Sequence, residues 1–166
     1  FALFEHPDAF LDMVRVGMAI FGVYSEPPFR ELGVLDLRPA AAMRARVAYV
    51  KQLRRGETAG YGRAYQAEND VWIATLPIGH VDGLPRAAAQ GGHLTIGGRR
   101  YPIIAAISAS HTMVEIGAEG RVQIGDEVTV FDWEDGSRAE DLAAEFNGSV
   151  YDLTMHLGPL MDRRMV

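Results

Sequence analysis

The 166 residues are 48% hydrophobic and 23% charged, enough apolar material to bury a core and too much for a disordered chain. A formal charge of -6, with close basic pairs only at Arg54-Arg55, Arg99-Arg100 and Arg163-Arg164, argues against a nucleic-acid partner, which needs clustered cations. Cysteine is absent, which excludes disulfides, thiolate metal sites and thiol nucleophiles; with no signal peptide and no membrane-length apolar run, the expectation is a cytoplasmic protein without a membrane partner.

In chain order, Pro7 predicts a short helical turn, because proline suits the first helical position. Residues 13–23 are apolar except for Arg15 and are expected as a buried strand or a strand plus turn. Glu26-Pro27-Pro28-Phe29 is expected to be a break or linker. Residues 40–50 alternate as one long β-strand, with Ala41, Met43, Ala45, Val47 and Tyr49 on one face. A polar turn follows, then Thr58-Ala59-Gly60-Tyr61-Gly62, then an apolar strand over 71–78 ended by Gly79-His80-Val81-Asp82-Gly83.

Gly97-Gly98 joins His93-Leu94-Thr95-Ile96 to residues 99–104, the strongest hairpin signal in the chain. Strands are expected again over 113–116 and 127–131, separated from the hairpin by the polar Ser108-Ala109-Ser110-His111. One helix is expected, with Ser137 and Glu140 as a capping box, Ala139, Leu142, Ala143 and Phe146 as its buried stripe, and Asn147-Gly148 as its stop. Residues 150–157 are expected as a last strand. The fold class is therefore mainly β, an antiparallel and barrel-like domain with one helix.

Several residues invite chemistry. Tyr61 sits between glycines whose backbone can approach a ligand closely, but an ordinary tyrosine pKa near 10 is about three units too high for a base at neutral pH. From the residues alone it is either a group awaiting a cationic neighbour or a packed turn. Arg15 is either an edge or salt-bridged cation or one reaching an anion or a ring nitrogen. His80, near Asp82, suggests acid–base work, yet the histidines at 6, 80, 93, 111 and 156 have no metal-ligand spacing. Ser108, Ser110 and His111 superficially pair a nucleophile with a base, although a turn that hydrogen-bonds itself accounts for them equally. The sixteen basic residues include a single lysine, Lys51, so an amine nucleophile has one candidate.

Dispersed over the whole length, Met13-Val14-Arg15-Val16-Gly17-Met18, Gly56-Glu57-Thr58-Ala59-Gly60-Tyr61-Gly62, Leu76-Pro77-Ile78-Gly79-His80-Val81-Asp82-Gly83, Gly98-Arg99-Arg100-Tyr101-Pro102-Ile103, Gly125-Asp126-Glu127-Val128 and Tyr151-Asp152-Leu153 resemble the carboxy-terminal portion of alanine racemase. The resemblance implies a chain that opens, without methionine, late in a longer protein: residues 1–28 as the terminal fragment of a pyridoxal-phosphate-binding (β/α)8 barrel, and residues 29–166 as the C-terminal β domain. It implies Tyr61 as the catalytic base for the L-amino acid, with a lysine acting on the opposite face. Arg15 would face the cofactor's pyridine nitrogen, Gly17 and Met18 would present backbone amides to its phosphate, and Tyr151 would stand at the inner entrance, on the phosphate side. It implies a head-to-tail homodimer in which the phenol of one subunit reaches the cofactor of the other.

The family's lysine belongs to the early barrel, and Lys51 matches an ordinary strand position, so the chain alone is not expected to racemise a small amino acid without that barrel. In the expected substrate-binding segment, His80 replaces a usual tyrosine, Ala109 a methionine and Ser110 an aspartate beside Ser108, and Ala105-Ala106 replace a glycine-arginine pair. These changes predict either a site open to substrates larger than alanine, a domain that binds without catalysis, or drift in loops whose backbone does the binding.

Overall fold

The computed structural model describes residues 6–134 and 136–165. The first five residues of the expected barrel fragment lie outside that range. Nine strands form among the described residues: β1 Met43–Arg46, β2 Tyr49–Leu53, β3 Thr58–Ala59, β4 Tyr65–Gln66, β5 Val71–Leu76, β6 His93–Ile96, β7 Arg99–Ile104, β8 Thr112–Gly117 and β9 Glu127–Phe131. Helices α1 Pro27–Glu31, α2 Ala139–Glu145 and α3 Val150–Thr154 accompany them.

The expected long strand is instead β1 and β2, broken at Val47-Ala48. They occupy opposite ends of one seven-stranded antiparallel sheet, in the order β1-β9-β6-β7-β8-β5-β2. Val47 N–H donates to Asp126 beside β9, and Ala48 N–H donates to Thr75 on β5, both at 2.9 Å. One continuous stretch of chain thus joins the two sheet ends into a barrel-like wall. Bending there shifts the alternation by one residue: Met43 and Val47 point inward, then Tyr49 is exposed and Val50 turns in.

The hairpin of β6 and β7 forms as the glycines dictate, pairing Ile96 with Arg99 across Gly97 and Gly98, whose φ angles of 56° and 77° match the mirror-image turn that such hairpins favour. Leu76, Leu94, Val114, Val128 and Leu153 meet in the core, and α2 closes it with the expected stripe of Ala139, Leu142, Ala143 and Phe146. Its cap lies one residue later than expected: the Asp141 carboxylate accepts the Arg138 N–H at 3.2 Å, and Asn147 takes a left-handed φ of 51° at the end.

Three further expectations are corrected. Residues 150–154 are helical, not a strand, because Ser149 caps the segment by accepting the Tyr151 N–H at 3.2 Å while Val150 and Leu153 face the core three residues apart. Pro27 and Pro28 open α1 instead of a linker, since the first turn needs no N–H there. Residues 13–23 form no strand: no neighbouring strand pairs with them among the described residues, and the only regular element is a 3₁₀ turn, Met18–Phe21. Pro7–Phe10 is the expected helical turn, of 3₁₀ type.

Candidate active site

The sequence-derived residues gather in two groups. The first surrounds a cavity of about 450 Å³ lined by Arg15, Gly17, Met18, Val23, Tyr24 and Tyr151, among others. Residues 18–24 are fastened to the β domain: Met18, Val23 and Tyr24 are buried, the Tyr24 hydroxyl donates to Leu35 O at 2.5 Å, and it accepts the Leu37 N–H at 3.2 Å. Gly22, at φ 71°, lies so close to the Arg38 carbonyl that a Cβ would overlap it. This anchoring, which the sequence reading did not anticipate, carries the preceding residues to the cavity.

Around the cavity the donors suit an anionic ligand. The N–H groups of Gly17 and Met18 make no hydrogen bond to another described residue, as expected at the entry to a helical turn. Arg15 is exposed and in no ion pair among the described residues. Tyr151, on α3, brings its hydroxyl to 3.3 Å from where a Gly17 Cβ would stand, so glycine leaves space between phenol and backbone.

The second group lies on the β domain and none of it lines the cavity. Tyr61 sits in a tight turn between β3 and β4, 75% exposed, its hydroxyl free of partners among the described residues. Gly60, Gly62 and Arg63 hold φ angles of 78°, 64° and 55°, conformations that glycine adopts freely and arginine rarely does. A Cβ on Gly60 would collide with Ala105, itself at φ 58°, so the turn rests directly on Ala105-Ala106. The packed-turn alternative for Tyr61 is therefore not what forms.

Further along, the His80 N–H donates to Ser108 O at 3.0 Å and the Val81 N–H to Ala109 O at 3.1 Å. This ladder joins His80 to Ser108 and Ala109, with the exposed Ser110 next in the same turn. Asp82 does not serve the imidazole, because its carboxylate accepts the Gly79 N–H at 2.9 Å; Arg86 Nη2 instead stands 3.0 Å from His80 Nε2. Ser108 is no activated nucleophile, since its hydroxyl donates to His111 O and accepts the His111 N–H. Ser110 Oγ, 3.0 Å from His111 Nδ1, completes a self-bonded turn.

Two residues passed over in the sequence reading support the Tyr61 turn. Tyr65 on β4 donates its hydroxyl to Glu115 Oε2 on β8 at 2.6 Å. Burial first, then the bond to Glu115, raise the Tyr65 pKa well above the ordinary tyrosine range, so this phenol keeps its proton. Its position four residues beyond Tyr61 in a short polar strand carried no distinguishing signal.

The family described as "Alanine racemase, C-terminal domain" matches residues 40–165. Alanine racemase 2 of Bacillus subtilis is 33% identical over 98% of this chain and 42% of its own length, and alanine racemase of Cutibacterium acnes is 35% identical over 99% and 44%. Among solved structures, the biosynthetic alanine racemase of Pseudomonas aeruginosa superposes with a TM-score of 0.84 at 27% identity over 98% of this chain and 45% of its own. The enzyme from D-cycloserine-producing Streptomyces lavendulae gives 0.84 at 31% over 95% and 42%. The chain thus spans less than half the length of these relatives.

Proposed function

The chain belongs to the alanine racemase family, and on that premise we propose that the intact protein interconverts L- and D-alanine, with this chain supplying one of two acid–base groups and part of a pyridoxal-phosphate site. Residues 1–28 are read as the end of the cofactor-binding barrel and 29–166 as the β domain. When bound, pyridoxal phosphate supplies an electron sink that makes the substrate α-proton removable. Gly17 and Met18 would hold its phosphate through backbone N–H groups, Tyr151 would stand beside them, and Arg15 would donate to the ring nitrogen without giving up its own proton.

The observation that carries the catalytic reading is Tyr61, a phenol free among the described residues, projected on a turn none of whose residues lines the cavity. In this reading Tyr61 takes the α-proton of L-alanine at its Oη and returns it in the opposite direction, and a lysine from the barrel serves the other face. The separation of the two groups supports a homodimer in which Tyr61 of one subunit completes the site of the other.

A second reading, broader substrate choice, draws on the exposed Ala106, against the Tyr61 turn, and the exposed Ala109, in the ladder beside His80, which leave room that larger side chains would fill. Racemisation of alanine, serine and lysine by the intact, cofactor-loaded protein decides among the alternatives. Turnover of alanine is expected. A strict preference for alanine removes the broader reading, and failure to bind pyridoxal phosphate or to turn over any of the three leaves a binding domain.

A further inference from the structure

We propose that Tyr65 and Glu115 form a positioning pair that fixes where the Tyr61 hydroxyl stands; the functional half of this inference rests on Tyr61 acting as an acid–base group. A ribbon this short cannot by itself fix a turn's direction, for β3 and β4 pair through Thr58↔Gln66 and Ala59↔Tyr65 and are extended only by the backbone bonds that join Gly56 and Glu57 to Ala67. Something outside the ribbon must restrain it. Tyr65 Oη to Glu115 Oε2 is the one side-chain hydrogen bond, among the described residues, that runs from residues 56–67 to the main sheet.

The bond sits at a leverage point. Glu115 lies within β8, paired with Ile73 of β5, so its backbone is fixed on the sheet side. Tyr65 packs with Ala59 and Met113 against the small cluster of Leu53, Ala67, Val71, Ile73 and Ile104. The phenol–carboxylate contact, short and charge-assisted, is the directional restraint at this end of the ribbon, because the apolar surface beneath it is itself permissive. On the far side of the turn, Gly60 rests on Ala105, and the left-handed Gly62 and Arg63 lie between the two supports. Tyr61 is held from both ends while its own ring touches solvent, so its placement depends on these neighbours and not on its own packing.

Tyr65 is thus a positioning residue, not a catalytic one. Three variants of the intact protein test it: Tyr65→Phe, Glu115→Ala and Glu115→Gln, the last retaining an acceptor oxygen. Solvent-deuterium exchange at the α-carbon, begun separately from L- and D-alanine, is the first readout. Tyr65→Phe and Glu115→Ala are expected to slow exchange from the L form about tenfold while leaving the D form within about twofold, and Glu115→Gln is expected to recover most of the loss. The second readout needs no activity: 3-fluorotyrosine placed at position 61 reports its surroundings by fluorine NMR.

A shifted or broadened line in Tyr65→Phe and Glu115→Ala, restored in Glu115→Gln, supports the proposal. An unchanged line, or exchange lowered equally from both enantiomers, overturns it. If the parent protein exchanges no alanine proton, the racemase reading fails on its own account, and the fluorine line still decides whether the pair sets the turn.

Discussion

The described part of the chain before residue 39 and the sheet-bearing part of the β domain after it are built on different terms. The β domain closes its own wall where Val47-Ala48 crosses from the β9 side to the β5 side, and its core residues come from every strand of the main sheet and two helices. The earlier segment buries Met18, Val23 and Tyr24 but leaves Leu11, Met13, Val14, Val16 and Ile20 in solvent. Yet it is this segment that carries Arg15, Gly17 and Met18 to the cavity, with Met18 and Val23 joining the common core, while the sheet domain carries Tyr61. The closed sheet thus presents the proposed proton-transfer group, and the proposed ligand cradle is held by a few fastened residues.

The sharpest way to break this division is Tyr61→Phe in the intact protein. If the two groups are independent, exchange of the α-proton from L-alanine falls by roughly 10²- to 10⁴-fold while pyridoxal-phosphate retention and thermal stability stay unchanged. An equal loss of exchange from D-alanine, or loss of the cofactor, would show that Tyr61 belongs to the cradle as well.

The next effect in size compares the regions directly. Leu94→Ala, in the closed core, is expected to destabilise the chain by about 2–5 kcal/mol, whereas Met13→Ala, at an 81% exposed position, should change stability by less than about 0.5 kcal/mol. Denaturant titration of both variants measures the contrast, and similar costs would mean that the early segment shares the core's cooperativity. Gly17→Val then probes the cradle alone. The added side chain crowds the Tyr151 hydroxyl, so pyridoxal-phosphate affinity of the intact protein should fall about tenfold, with fold and Tyr61 turn intact. Unchanged affinity would place the cofactor elsewhere.

What the sequence revealed follows the same divide. The Gly97-Gly98 hairpin and the stripe of α2 were legible because local turn chemistry and a local period dictate them. The break at Val47-Ala48 was not, since alternation reports which face is buried and not which partner a strand has. Residues 13–23 looked like a buried strand because apolar composition presupposes a covering surface, and the described chain provides one only for Met18 and residues 22–24. In the candidate site, resemblance picked out Tyr61 and the Arg15-Gly17-Met18 run, and the structure separates them. Tyr65 and Glu115 stayed hidden because fifty residues lie between the two halves of one hydrogen bond.

The smallest predicted effect lies at the seam between the two regions, where Arg30 of α1 pairs with Asp141 of α2 at 3.0 Å and Arg138 reaches the Leu37 carbonyl. Glu140 sits in that seam with a fully buried carboxylate that accepts no hydrogen bond from any other described residue, Arg138 standing 3.9 Å away. Burial, aided by the charge of Asp141, raises its pKa above the ordinary 4.5, against the opposing pull of its own backbone N–H, Arg138 and Arg30. The native state therefore holds this proton more tightly than the unfolded chain does, so Glu140 costs stability progressively as pH rises above about 4.5. Glu140→Gln keeps the shape and removes the charge. It should be more stable than the parent by on the order of 1 kcal/mol at pH 7, with the advantage fading towards pH 4, where both side chains are neutral. Denaturation at the two pH values checks the sign: a variant less stable at pH 7 would show that attraction to Arg138 and Arg30 outweighs desolvation, making Glu140 a tie across the seam instead of a strain within it.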